Sequence, residues 1–186
     1  MPFDHFDFIA GIYNRLEDYL PGPLMMRLVA LPVTGRLLDA GGGTGRVARA
    51  LAGQAGQVVV ADLSLGMLRH ARRKGLEAIC APVERQPFPD AAFERVIMMD
   101  AFHHVFDQRQ TAAELLRLLA PGGRIVIVEP DIRRLAVKVV ALFEKLLLMR
   151  SRFLSAEQIA ALFVGSNIRV AIEREAASAW VVIEKQ

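Results

Sequence analysis

Arg36-Leu37-Leu38-Asp39-Ala40-Gly41-Gly42-Gly43-Thr44-Gly45, running on into Arg46-Val47-Ala48-Arg49-Ala50, decides the fold. A short buried strand, Arg36 to Asp39, meets a glycine turn and then a helical run, Arg46 to Ala52. Small residues at such a turn let the backbone approach a ligand closely. The amides at the start of the helix favour electron-rich groups. Spacing alone leaves the ligand open. Counted from Gly41, the dinucleotide pattern Gly-x-Gly-x-x-Gly/Ala ends on Arg46 and fails; counted from Gly43 it ends on Ala48 and is satisfied. Asp39 weighs against a dinucleotide, because the strand end entering that turn is normally apolar.

Outward from this turn, strand-like and helix-like runs alternate. Val58 to Ala61 reads as a strand ending at Asp62, and Ser64 can cap a helix over Leu65 to Lys74. Strands follow at Glu77 to Ala81 and Phe93 to Met99, and a helix at Gln108 to Leu119 that Pro121-Gly122-Gly123 stops. Arg124 to Val128 is a fifth strand. A long helix is expected over Arg133 to Arg150 and a shorter one over Ser155 to Phe163, with Ser155 and Gln158 as a capping box. Ile168 to Glu173 and Ala179 to Glu184 suggest a terminal hairpin. The order implies a single α/β domain with a mostly parallel sheet and helices on both faces.

The 186 residues suit one domain with a sizeable core, since 53% are hydrophobic. A net charge of +3 does not by itself argue for nucleic acid. The single cysteine, Cys80, lies in Ala78-Ile79-Cys80-Ala81 and reads as a buried structural thiol. One cysteine permits no intrachain disulfide, which fits a cytoplasmic setting. The opening residues do not read as a leader, and Leu135 to Met149 is too short and too charged to span a bilayer.

Asp62 ends the second strand, where a carboxylate can accept both hydrogen bonds of a ribose diol. Asp39-x-Gly-x-Gly-x-Gly, through Gly41, Gly43 and Gly45, resembles motif I of the class I S-adenosylmethionine-dependent methyltransferases. Further segments resemble the same family: Glu84-Arg85-Gln86-Pro87-Phe88, Asp100-Ala101-Phe102-His103-His104-Val105 and Leu118-Leu119-Ala120-Pro121-Gly122-Gly123. The opening Phe6-Asp7-Phe8-Ile9-Ala10-Gly11-Ile12-Tyr13-Asn14 is similar to that of ubiquinone and menaquinone C-methyltransferases.

The resemblance implies a Rossmann-like sheet of seven strands ending in an antiparallel hairpin. It implies S-adenosylmethionine as cofactor, with contacts from Tyr13, Asp39, Gly41, Gly43, Thr44, Gly45, Asp62, Leu63, Val83, Glu84 and Met99. It implies a helical lid over residues 1–30 and a helical substrate cover over 131–163. Pro82-Val83 stands where the family usually has an acidic pair, so the adenine end should depart from its relatives, with the Val83 amide as the remaining donor. His104 first and Asp100 second are the candidate bases; His103 reads as a packing or capping residue. Glu129 and Asp131 could touch substrate or simply be solvated. No metal site is read.

The expected activity is methyl transfer to a small molecule, quinone-like or otherwise lipophilic. The long helix could also give peripheral contact with a membrane through its basic edge. An RNA or protein methyltransferase, an inactive cofactor-binding partner protein and a nicotinamide dehydrogenase are the alternatives. The absence of Asn-Pro-Pro-Tyr at the fourth strand end argues against methylation of adenine or glutamine amino groups.

Overall fold

The inner strands of the sheet are buried on both faces, and the parity of each residue assigns it to one of them. In the computed structural model, which describes residues 21–134, 137 and 151–186, the elements are α1 (Pro23–Val29), β1 (Arg36–Ala40), α2 (Arg46–Ala50), β2 (Gln57–Asp62), α3 (Leu65–Arg73), β3 (Glu77–Cys80), β4 (Phe93–Met99), α4 (Gln108–Leu118), β5 (Leu119–Pro130), α5 (Ala156–Ala160), β6 (Ile168–Glu175) and β7 (Ser178–Lys185). They form one seven-stranded sheet of order β3-β2-β1-β4-β5-β7-β6. Strands β1 to β5 run parallel, and β7 joins β5 and β6 antiparallel. This is the Rossmann-like sheet with a terminal hairpin expected from the sequence.

Leu38, Val96, Met98, Ile125, Ile127, Val181 and Ile183 point to one face and pack against α4 and α5. Leu37, Ile97, Val126, Val128, Trp180 and Val182, one residue out of phase, point to the other and meet α1 and α2. Val60 on that second face packs with Ala48 of α2 and with Leu68 and Ala71 of α3. A residue slip in any central strand would exchange its two faces, so burial on both sides pins the register.

Helix α1 is short, and Met25, Leu28 and Val29 bury it in the core. The described end of the 1–30 segment therefore belongs to the body of the domain. Tyr13 lies outside the described residues, as does most of the helix expected over Arg133 to Arg150. Of the 131–163 segment, α5 starts on the expected capping box of Ser155 and Gln158 and buries Ala156 and Ile159. No helix among the described residues is long and apolar enough to cross a membrane.

Three expectations are corrected. Cys80 is exposed, because it ends β3, the edge strand of the sheet; its thiol reaches only the Leu63 carbonyl, at 3.5 Å. Pro121-Gly122-Gly123 does not stop α4. The helix already ends at Leu118, Leu119 is extended and paired with Phe93, and the glycine segment is an irregularity inside β5, where the register with β4 shifts between Phe93 and Arg95. Glu129 and Asp131 are not solvated strand ends; both are buried.

Candidate active site

The C-terminal ends of β1, β2, β4 and β5 converge at one pole of the sheet. The cofactor side of this pole is built mainly from backbone. Gly45 at φ +72° caps the start of α2, and a Cβ there would overlap Leu76 and crowd Ala71 at 3.1 Å, so the residue lets α2 and α3 close on each other. Gly43, also at positive φ, differs: a Cβ would meet only the Met67 sulfur at 3.9 Å and an Asp62 oxygen at 4.0 Å. Its open side leaves room for a ligand against the loop.

Two acids brace that loop. Asp62 Oδ2 accepts from the Gly43 amide at 2.9 Å and Oδ1 from the Ser64 amide at 2.8 Å, which fixes the carboxylate at the strand end. Asp39 is buried and accepts from the Ala48 amide at 3.1 Å. Burial raises its pKa to about 7; the Ala48 bond opposes this, neighbouring Asp62 adds to it and Arg46 relieves it. Thr44, in the same loop, is buried, whereas Leu63, directly after Asp62, is 66% exposed at the same pole. An apolar side chain left open beside a polar strand end is suited to a flat ring. This set fits an adenosyl group: an acid for a diol, an apolar face, and close backbone with no blocking side chains.

The turn expected to meet adenine is held from below. The Gln86 side chain donates to the Pro82 carbonyl at 2.9 Å, and Glu114 of α4 accepts from the Gln86 amide at 2.7 Å. Val83 is buried in the core, and Pro82 is exposed. Glu84 turns toward the other half of the site, where its Oε1 accepts from the amides of Phe106 at 2.7 Å and Asp107 at 3.2 Å.

The acceptor side is built from side chains. Met99 ends β4, half-buried, and Asp100 follows at φ +52°, an unfavourable conformation for a residue with a Cβ. Asp100 is exposed, yet its pKa is raised, first by lost hydration and then by Glu129; His103 and Arg46 oppose the rise. Glu129, at the end of β5, accepts from the Phe102 amide at 2.8 Å and lies 2.5 Å from His103 Nδ1. The His103 ring stacks on Phe153 with centroids 4.3 Å apart and touches the His104 ring at 3.9 Å. His104 Nδ1 is 3.2 Å from the Ser151 hydroxyl. Burial, then His103, lowers the His104 pKa to about 3, so this imidazole is neutral at ordinary pH and a weak proton acceptor.

The structure thus gathers Asp39, Gly41, Gly43, Thr44, Gly45, Asp62 and Leu63 on one side of the pole and Met99, Asp100 and His104 on the other. Sequence reading missed Ser151, Phe153, Gln86 and Gln108, whose side chain ties the Phe102 and Arg152 carbonyls together at 3.1 and 2.8 Å. Ser151 and Phe153 act on residues about fifty positions away, whereas Gln86 and Gln108 also bond carbonyls four and six positions back, which no side-chain pattern announces. Among the described residues, no group of three or more His, Cys, Asp or Glu could hold a metal ion.

Comparison with known proteins agrees with this geometry. Residues 38–127 match a methyltransferase domain family. The chain is 34% identical to a demethylmenaquinone methyltransferase of Clavibacter sepedonicus over 95% of its own length and 78% of that protein. It is 32% identical to a ubiquinone/menaquinone biosynthesis C-methyltransferase of Pseudomonas savastanoi pv. phaseolicola, over 67% of this chain and 56% of that enzyme. In fold it is similar to a Haloferax volcanii protein solved in complex with the Trm112 methyltransferase activator, with a TM-score of 0.82 at 20% identity and coverage of 100% and 99% of the two chains. A Thermotoga maritima S-adenosylmethionine-dependent methyltransferase gives a TM-score of 0.78 at 20% identity, covering 97% of this chain and 98% of that one. The [4+2]-cyclase SpnF shares the fold as well, with a TM-score of 0.74 at 16% identity over 97% and 94%, so fold likeness does not set the reaction. The 34% identity over 95% of this chain, joined to the braced glycine loop, does decide it: the chain belongs to the class I S-adenosylmethionine-dependent methyltransferases, with S-adenosylmethionine as its cofactor.

Proposed function

We propose that this enzyme methylates a small lipophilic acceptor of the quinol type, at a ring carbon made nucleophilic by an adjacent hydroxyl. The observation that carries the reading is the 34% identity to a demethylmenaquinone methyltransferase across 95% of the chain. When bound, S-adenosylmethionine supplies an activated methyl group on a sulfonium. The protein's task is to align the acceptor with that methyl and to exclude water.

In this reading Asp62 binds the ribose diol, Leu63 covers the adenine, and the Val83 amide serves its edge. The loop from Asp39 through Gly41, Gly43, Thr44 and Gly45 cradles the amino-acid end, with Met99 beside it, and Tyr13 closes from the N-terminal segment. Glu84 acts indirectly, by tying the adenine turn to the Phe106–Asp107 amides. Asp100 would take the proton of the acceptor's hydroxyl, which makes the adjacent ring carbon nucleophilic toward the methyl group that the bound cofactor would supply. It ranks ahead of His104, reversing the order expected from sequence, because a raised carboxylate pKa improves a base and a depressed imidazole pKa weakens one. His104 then orients the acceptor. In this reading the residues ahead of α1 and those between β5 and α5 close the two sides of the cleft.

The test is turnover of methyl-labelled S-adenosylmethionine with a reduced demethylated naphthoquinone, beside benzoquinols, bulk RNA and protein. Label in a quinol ring carbon is expected. Label in RNA or protein, with none in any quinol, would contradict the proposal.

A further inference from the structure

We propose that Glu129 is a positioning residue that sets the acceptor half of the site through His103. This rests on the acceptor reading above for its effect on turnover, but its geometry stands alone. Glu129 belongs to β5, and both its oxygens reach the loop that follows β4: Oε1 takes the Phe102 amide at 2.8 Å and Oε2 meets His103 Nδ1 at 2.5 Å. Both side chains are only 5% exposed. A nitrogen and a carboxylate oxygen approach this closely only with a proton between them, so Glu129 places hydrogen on Nδ1 and orients the ring.

That ring is a platform for the chain arriving from the other side. Phe153 lies flat on it, the Arg152 amide donates to the His103 carbonyl at 2.8 Å, and Ser151 meets His104. Residues 151–153 lie just ahead of α5. A single buried carboxylate therefore fixes three things together: the turn carrying Asp100, the His104 ring, and the Ser151–Phe153 segment. Residues that hold reacting groups in this indirect way are commonly worth about 10- to 100-fold in rate.

Glu129→Gln separates positioning from bulk. The amide still accepts from Phe102 through its oxygen, but its NH2 faces His103 and forces the ring to carry hydrogen on Nε2 instead. Three readouts are compared with the wild-type protein: the His103 tautomer by nitrogen NMR, amide exchange, and S-adenosylhomocysteine affinity. The variant is expected to switch the tautomer and speed exchange at Phe102 and Arg152. Exchange at Gly43 and Ser64 should stay unchanged, and cofactor affinity within about twofold. With a turned-over quinol, kcat falls about 10- to 100-fold with KM little changed. An unchanged tautomer, unchanged exchange at Arg152, unchanged kcat, or equal loosening at Gly43 would each overturn the proposal. If the wild-type enzyme methylates no quinol, the acceptor reading fails, while tautomer and exchange still decide the role of Glu129.

Discussion

The two halves of the pole are made differently. On the β1–β2 side, the loop after β1 and the strand end of β2 sit within a run of about thirty residues, and their contacts are backbone amides on Asp39 and Asp62. On the β4–β5 side, the bonds join residues 26 and 47 positions apart, Glu129 to His103 and Ser151 to His104. In the proposed reading, a cofactor common to many enzymes meets a local device, and an acceptor particular to one enzyme meets side chains collected from several segments.

The sharpest way to break this division is to remove one acid from each half. Asp100→Asn should lower kcat by about 1,000-fold and leave S-adenosylhomocysteine affinity intact, as removal of a general base does. Rapid-quench turnover beside calorimetry checks it; a parallel loss of affinity would show that the halves are not separate. Asp62→Ala should do the reverse, with affinity falling about 100-fold, roughly 2.7 kcal/mol.

A smaller effect probes the scaffold under the loop. Gly45→Ala forces a Cβ onto Leu76 at a positive φ and should cost about 2 kcal/mol of unfolding free energy by urea titration. A neutral result would show that α2 and α3 are not in close contact there.

The finest test uses pH. Asp39 has its folded pKa raised to about 7 from 3.8, so its contribution to stability is complete below pH 3.8 and is lost as pH rises toward 7. Asp39→Asn should therefore raise Tm at pH 8 by a few degrees, on the order of 1 kcal/mol, and change little at pH 3.5. His104 runs the other way. Its folded pKa is lowered to about 3 from 6.5, so stability is whole above 6.5 and declines as pH falls toward 3. His104→Gln should flatten that acid decline, measured by thermal scans between pH 7 and 4.

The same division explains what could be read beforehand. Strand β4 was legible to its ends, Phe93–Met99, because the continuous apolar run Val96-Ile97-Met98-Met99 records a strand buried on both faces. The Ser155–Gln158 box and Ser64 cap were legible because a cap is a short-range bond. Leu119-Ala120-Pro121-Gly122-Gly123 misled, since proline and glycine mark a turn and an irregularity inside a strand alike. Cys80 misled because apolar neighbours do not reveal that β3 is an edge. Asp100 and His104 are legible as polar residues at the end of β4, but the opposite pKa shifts that rank them in the proposed reading are not, because burial and the nearness of Glu129 and His103 set them.

The most direct measurement is calorimetric titration of the wild-type protein and Asp62→Ala with S-adenosylmethionine, S-adenosylhomocysteine and NAD. Saturable binding of both adenosyl ligands to the wild-type protein, about 100-fold weaker in the variant, with no heat from NAD, is the predicted result. Binding of NAD alone, or equal affinity in the two proteins, would contradict the placement of S-adenosylmethionine on the loop from Asp39 to Gly45 and on Asp62.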